Sequence, residues 1–127
     1  MQPINFFDDP EKRGRPREEV RLKQLGLYVY EDARRVAIGF NLTPFAERPS
    51  LEVTATNEEG KIAGSMTVIE ALSPNFNITM HLRDKTPADI YAIDVVVFYK
   101  NEDGERLEVD RKQGAVDMSR PGEQIVG

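Results

Sequence analysis

Apolar residues recur at every second position along most of this chain, and that period restricts its fold more than any other feature. Val36, Ile38, Phe40 and Leu42 alternate with Arg35, Ala37, Gly39, Asn41 and Thr43. Leu51, Val53 and Ala55 follow the same rule, as do Phe76, Ile78, Met80 and Leu82. Tyr91, Ile93, Val95, Val97 and Tyr99 continue it, and Leu107 and Val109 add a shorter stretch. A period of two belongs to a strand with one buried face. The segment from Lys61 to Ala71 is apolar and β-branched and reads as a further strand, weakened by Gly64.

Turn chemistry separates these runs. Asn57-Glu58-Glu59-Gly60 and Asn101-Glu102-Asp103-Gly104 begin with Asn and end with Gly, which suits a type I turn closed by a left-handed residue. Glu31–Arg34 and Ser73-Pro74-Asn75 divide further strands, and Pro44 and Pro49 bound a longer connection. Residues 17–25 admit two readings. Pro16, Glu18, Glu19, Lys23 and Gly26 stand where a short helix starts and stops. Val20 and Leu22 on one parity, with Leu25, Leu27 and Val29 on the other, describe instead a strand broken by a bulge near Gln24. The strand is preferred, because these apolar residues form no stripe of helical period. Seven strands follow, near residues 20–30, 35–43, 50–56, 61–71, 75–83, 90–100 and 105–118. No run is long enough for a crossover helix, so the expectation is an all-β, seven-stranded antiparallel two-sheet sandwich with an irregular N-terminal arm.

At 127 residues the chain is long enough for one domain with one core. Residues 1–17, with Pro3, Pro10 and Pro16, read as a flexible charged arm, residues 18–118 as the sandwich and residues 119–127 as a C-terminal tail. Seventeen basic and 22 acidic side chains give a net charge of −5. The basic excess is local, since Lys12, Arg13, Arg15, Arg17, Arg21 and Lys23 crowd one stretch. Cysteine is absent, which excludes a disulfide framework, a thiolate metal site and a cysteine nucleophile. The apolar run Val95–Phe98 is far shorter than the ~20 residues of a membrane span. Met1–Asp9 lacks the basic start and apolar stretch of a signal peptide, so a cytoplasmic location is expected.

The segment Tyr91-Ala92-Ile93-Asp94-Val95-Val96-Val97 resembles the sixth strand of immunoglobulin-like and fibronectin type III-like domains. In those families a Pro-containing loop leads to a Tyr and then to alternating apolar residues. Leu82, the Thr86-Pro87 loop and Tyr91 occupy comparable places. The resemblance implies that Tyr91 is the corner tyrosine whose hydroxyl bonds back to the preceding loop. The chain lacks the Cys pair and core Trp of antibody domains. Such folds serve many roles, so the fold by itself assigns none.

Lys12-Arg13-Gly14-Arg15-Pro16-Arg17 resembles the AT-hook, an arm that binds the minor groove of A·T-rich DNA. The resemblance implies that Arg13 and Arg15 enter the narrow groove, Gly14 lets the backbone approach its floor and Pro16 directs the chain along it. Asp8, Asp9, Glu11, Glu18 and Glu19 flank this core and repel phosphate.

His81, the single histidine, is out of phase with Phe76, Ile78, Met80 and Leu82 and is expected to face solvent. The acidic turns lack the alternate carboxylates and closing Glu of a calcium loop. Asn41-Leu42-Thr43 and Asn77-Ile78-Thr79 match the glycosylation acceptor pattern but follow no signal peptide. No catalytic residue, metal or cofactor is assigned, because no nucleophile–base–orienter set emerges from the spacing.

Some apolar residues fall on the outward phase. Val96 and Phe98 lie opposite Val95 and Val97, and Tyr28 and Tyr30 lie opposite Leu27 and Val29. Either the chain covers them, with Phe6 and Phe7 as candidates, or they form an interface with another protein or a second copy of the chain. The leading expectation is a non-enzymatic protein-interaction or accessory domain. A nucleic-acid-associated protein using the arm comes second. A small hydrolase or sugar-binding module comes last, since sugar platforms usually rest on Trp and the chain has none.

Overall fold

The computed structural model describes residues 14–83 and 89–127. It contains eight strands: β1 (Leu22–Val29), β2 (Arg35–Leu42), β3 (Ser50–Thr56), β4 (Ile62–Val68), β5 (Asn75–His81), β6 (Ile90–Lys100), β7 (Arg106–Asp117) and β8 (Gln124–Val126). They form two four-stranded sheets, ordered β5-β2-β1-β8 and β4-β3-β6-β7, in which every pairing is antiparallel. Seven of the eight are the strands expected from the sequence. The eighth lies in the stretch expected as a tail: Gly26, Leu27 and Tyr28 pair with Val126, Ile125 and Gln124. Three residues are too few for an alternation signal, so only the pairing reveals this strand.

The period of two sets the core directly. Val36, Ile38, Phe40 and Leu42 from one sheet meet Leu51, Val53, Ile93, Val95 and Val97 from the other, and all are buried. Tyr91 is buried among them, while the loop that would hold a tyrosine corner lies outside the described residues. Both Asn-to-Gly turns form as the sequence demands. Gly60 and Gly104 have φ of +81° and +85°, and their N–H groups donate to Asn57 O and Asn101 O.

The two readings of residues 17–25 each hold for part of the segment. Arg17–Glu19 form one 3-10 turn after Pro16. The strand then begins at Leu22, with a register break between Leu22 and Gln24. The bulge swaps parity, so Leu22 and Leu25 both point inward although three residues apart. Among the described residues no helix is long and apolar enough to cross a membrane.

Candidate functional site

The end of the arm is docked on the sandwich. Arg13 lies outside the described residues. Arg15 N–H donates to Pro44 O at 2.8 Å and Ala46 N–H donates to Arg15 O at 3.0 Å, a parallel bridge between Arg15 and Phe45. A Cβ on Gly14 would stand 2.8 Å from Ala46 N, so glycine is required by this close approach. The backbone of Gly14, which the AT-hook resemblance would lay on a DNA groove floor, is packed against the protein's own chain, and Pro16 leads into the 3-10 turn.

Arg17 locks this arrangement. Its Nε donates to Glu47 Oε1 at 2.8 Å, its Nη2 donates to Glu47 Oε2, and its guanidinium lies 4.9 Å from the Tyr99 ring centre. The fork holds the Glu47 carboxyl below the usual carboxylate range. Tyr99 donates its hydroxyl to Glu47 O at 2.8 Å, and burial, aided by the Glu47 charge, pushes its pKa up to about 12.

The outward-phase residues of β6 are covered by the chain itself. Val96 is 5% and Phe98 1% exposed, yet neither belongs to the central core. The Arg106 guanidinium lies 4.1 Å over the Phe98 ring and donates to Glu52 Oε2 at 2.8 Å. Arg111, paired with Val96 in register, reaches towards Asp94 and Glu108. Arginine stems and a paired guanidinium therefore roof this strip. The expected interface through Val96 and Phe98 is corrected accordingly: the chain leaves them almost no surface to offer. Tyr28 and Tyr30 remain half-buried. Their rings meet edge-on at 5.6 Å, Arg35 lies 4.3 Å over Tyr30, and the Tyr30 hydroxyl sits 3.3 Å from Thr79 Oγ1.

Exposed apolar area lies elsewhere, along β4 and just beyond it. Ile62 is 67% exposed, and Ile69 and Leu72 in the β4–β5 connection are 67% and 82% exposed. That connection is held in shape. Ala71 N–H donates to Pro49 O at 2.8 Å, Glu70 N–H donates to Ser50 Oγ at 3.0 Å, and Glu70 adopts a φ of +49°. At the other end Arg83 N–H donates to Ala63 O, which closes the Ile62 end of the strand. Sequence reasoning missed this edge because it judged residues by phase, whereas edges are defined by pairing.

A second feature lies on the outer face of the sheet β5-β2-β1-β8. Register places Gln24, Asn41 and Asn75 side by side in one row across three strands. The next row is Val126, Gly26, Gly39 and Asn77, and the row after that holds Gln124, Tyr28, Ala37 and Thr79. Two glycines without side chains make the middle row a trough, an open depression of about 310 Å³. The small outward residues Ala37 and Gly39 were its sequence signal. His81 is exposed on the same face, in register with Arg35. Among the described residues, no three His, Asp or Glu side chains gather where they could hold a metal ion.

The fold and these surfaces define a two-sheet antiparallel β-sandwich. No protein-family model and no curated protein matches the chain. Solved structures of β-glucuronidase from Ruminococcus gnavus are similar in part. The complex with D-glucaro 1,5-lactone has 12% identity and a TM-score of 0.44, and that with a C6-substituted uronic isofagomine 11% and 0.47. Each alignment covers 79% of this chain and 16% of the glucuronidase chain, so this chain spans about a sixth of its length.

Proposed function

We propose that this chain is a non-enzymatic protein-interaction domain of immunoglobulin-like topology, which associates through its β4 edge with a second copy of itself. The topology is supported by strand order. β2 lies between β1 and β5, and β3, β6 and β7 are consecutive neighbours, the A-B-E and C-F-G arrangement of those domains.

The carrying observation is the contrast between edges. β7 holds six charged residues in twelve, and β8 has only three residues; both are ordinary ways to block edge pairing. Neither β4 nor β5, the fourth edge, has either protection, but β5 presents Asn75, Asn77 and His81, whereas β4 leaves Ile62 exposed and runs into an apolar loop. Ile62–Val68 contains no charged residue and no proline, and the fixed loop beyond it displays Ile69 and Leu72. An uncharged edge can pair antiparallel with its own copy across a twofold axis without opposing like charges. Gly64 packs against Met80 and His81, so Ser65–Val68 supply the open stretch, and Leu72 supplies apolar contact at its end.

Sedimentation across the micromolar range tests this reading. A concentration-dependent dimer that Leu72→Glu or Ser65→Lys converts to a folded monomer is expected. A wild-type chain that remains monomeric throughout removes the proposal.

A further inference from the structure

The trough on the outer face of β5-β2-β1-β8 has a chemistry of its own, independent of the β4 edge. None of its nine lining residues is ionisable, although 31% of the chain's residues are charged. Its walls carry the side-chain amides of Gln24, Asn41, Asn75 and Asn77. Each amide offers two donors and an acceptor. One weak bond, Asn41 Nδ2 to Gln24 Oε1 at 3.4 Å, occupies part of that capacity. Among the described residues, the side-chain amides of Asn75 and Asn77 bond to no protein group.

The floor is shaped to admit something. A Cβ on Gly39 would stand 2.8 Å from Asn77 Oδ1, so glycine there lets this amide lie across the floor. A Cβ on Gly26 would meet nothing closer than 4.0 Å, so that half of the floor is open space. The glycine row crosses four strands, about 14 Å at the usual strand spacing. Tyr28 borders it in the adjacent row, and Val126 adds an exposed apolar side chain at its end.

We infer that this trough binds a neutral polyhydroxylated chain, a short run of uncharged sugar units. Hydroxyls both donate and accept, which matches amides and leaves neither side with an unpaired group. The apolar faces of sugar rings match Tyr28 and Val126. A phosphate or carboxylate ligand would need cations, and the lining supplies none. The missing tryptophan, which placed sugar binding last in the sequence reading, removes an aromatic platform but leaves a recess that orients the ligand by hydrogen bonds.

The test titrates the full chain with neutral cello-, malto-, manno- and xylo-hexasaccharides, with polygalacturonate and an uncharged extended peptide as comparisons. Side-chain amide resonances and calorimetry are followed together. Saturable binding of at least one neutral saccharide is expected, with shifts at Asn75, Asn77 and Gln24. Gly26→Val, which fills open floor, should weaken it at least tenfold at an unchanged thermal midpoint. Asn77→Ala, at an exposed position, gives the same reading should Gly26→Val fail to fold. Weakening by either folded variant supports the inference. No saturable binding of any neutral saccharide overturns it, as does binding unaffected by both variants or tighter binding of the polygalacturonate or the peptide. Oligomeric state plays no part in this readout, so failure here leaves the edge reading untouched.

Discussion

Tyr99 gathers three influences on one side chain: burial, a hydrogen bond from its hydroxyl to Glu47 O, and the Arg17 guanidinium over its ring. Burial dominates and favours the neutral phenol, so its pKa rises from 10.0 to about 12. The sign for stability follows. Below pH 10 both folded and unfolded chains keep the proton, and the stabilisation is complete. Between 10 and 12 the unfolded chain releases it first, so stability falls with rising pH. Denaturant titrations across that window should show a decline that is shallower in Tyr99→Phe; identical slopes would contradict the buried hydroxyl. A second comparison isolates phase. Phe40 is buried and stacks on Phe76 at 4.8 Å, whereas its neighbour Asn41 faces the trough. Phe40→Ala should cost ~3–5 kcal/mol and Asn41→Ala close to nothing. Equal unfolding midpoints would refute the register. Phe98 marks the limit of phase as a guide. It lies on the outward parity as its position in the run suggests, but Arg106 lies eight residues away across a hairpin, and only the pairing brings the guanidinium over the ring.

At the scale of elements, β8 is the strand that sequence could not reveal. Its stability comes from β1: Gly127 N–H donates to Leu25 O and Leu25 N–H to Gly127 O, both at 2.9 Å, and Ile125 packs against the core. Removing residues 124–127 exposes the β1 edge and forfeits these contacts, a loss of about 2 kcal/mol. Calorimetry should show the thermal midpoint falling by roughly 5–10 °C for a domain of this size. An unchanged midpoint would mean that β8 does not pair in solution. The β4–β5 connection is the converse case. The sequence presents Ile69-Glu70-Ala71 as the end of a strand, but Glu70 turns into left-handed backbone and Ser50 and Pro49 hold the turn. Its shape depends on partners twenty residues away.

The whole molecule joins strands that are far apart in sequence: β1 to β8, β2 to β5 and β3 to β6. Loop closure must precede most of the stabilising contacts, so folding is expected on the millisecond-to-second scale typical of sandwiches. Stopped-flow refolding checks this, and a microsecond phase carrying the full amplitude would contradict it. Charge is also organised at this scale, with β7 rich in ions and β4 free of them on opposite sides of one sheet.

Sequence alone determined the fold class, seven of the strands, the two Asn-to-Gly turns, the bulge near Gln24 and the inward set from Val36 to Val97. These are local quantities, because side chains alternate across a strand and turns need particular backbone angles whatever the rest of the chain does. Tertiary structure decided which outward residues are covered, which strands are edges, that residues 124–126 form a strand, and that Gly26, Gly39, Asn41, Asn75 and Asn77 share one recess. Each of these depends on which strands become neighbours and in what register. That choice is made by the packing of two whole sheets, and no single window of the sequence contains it.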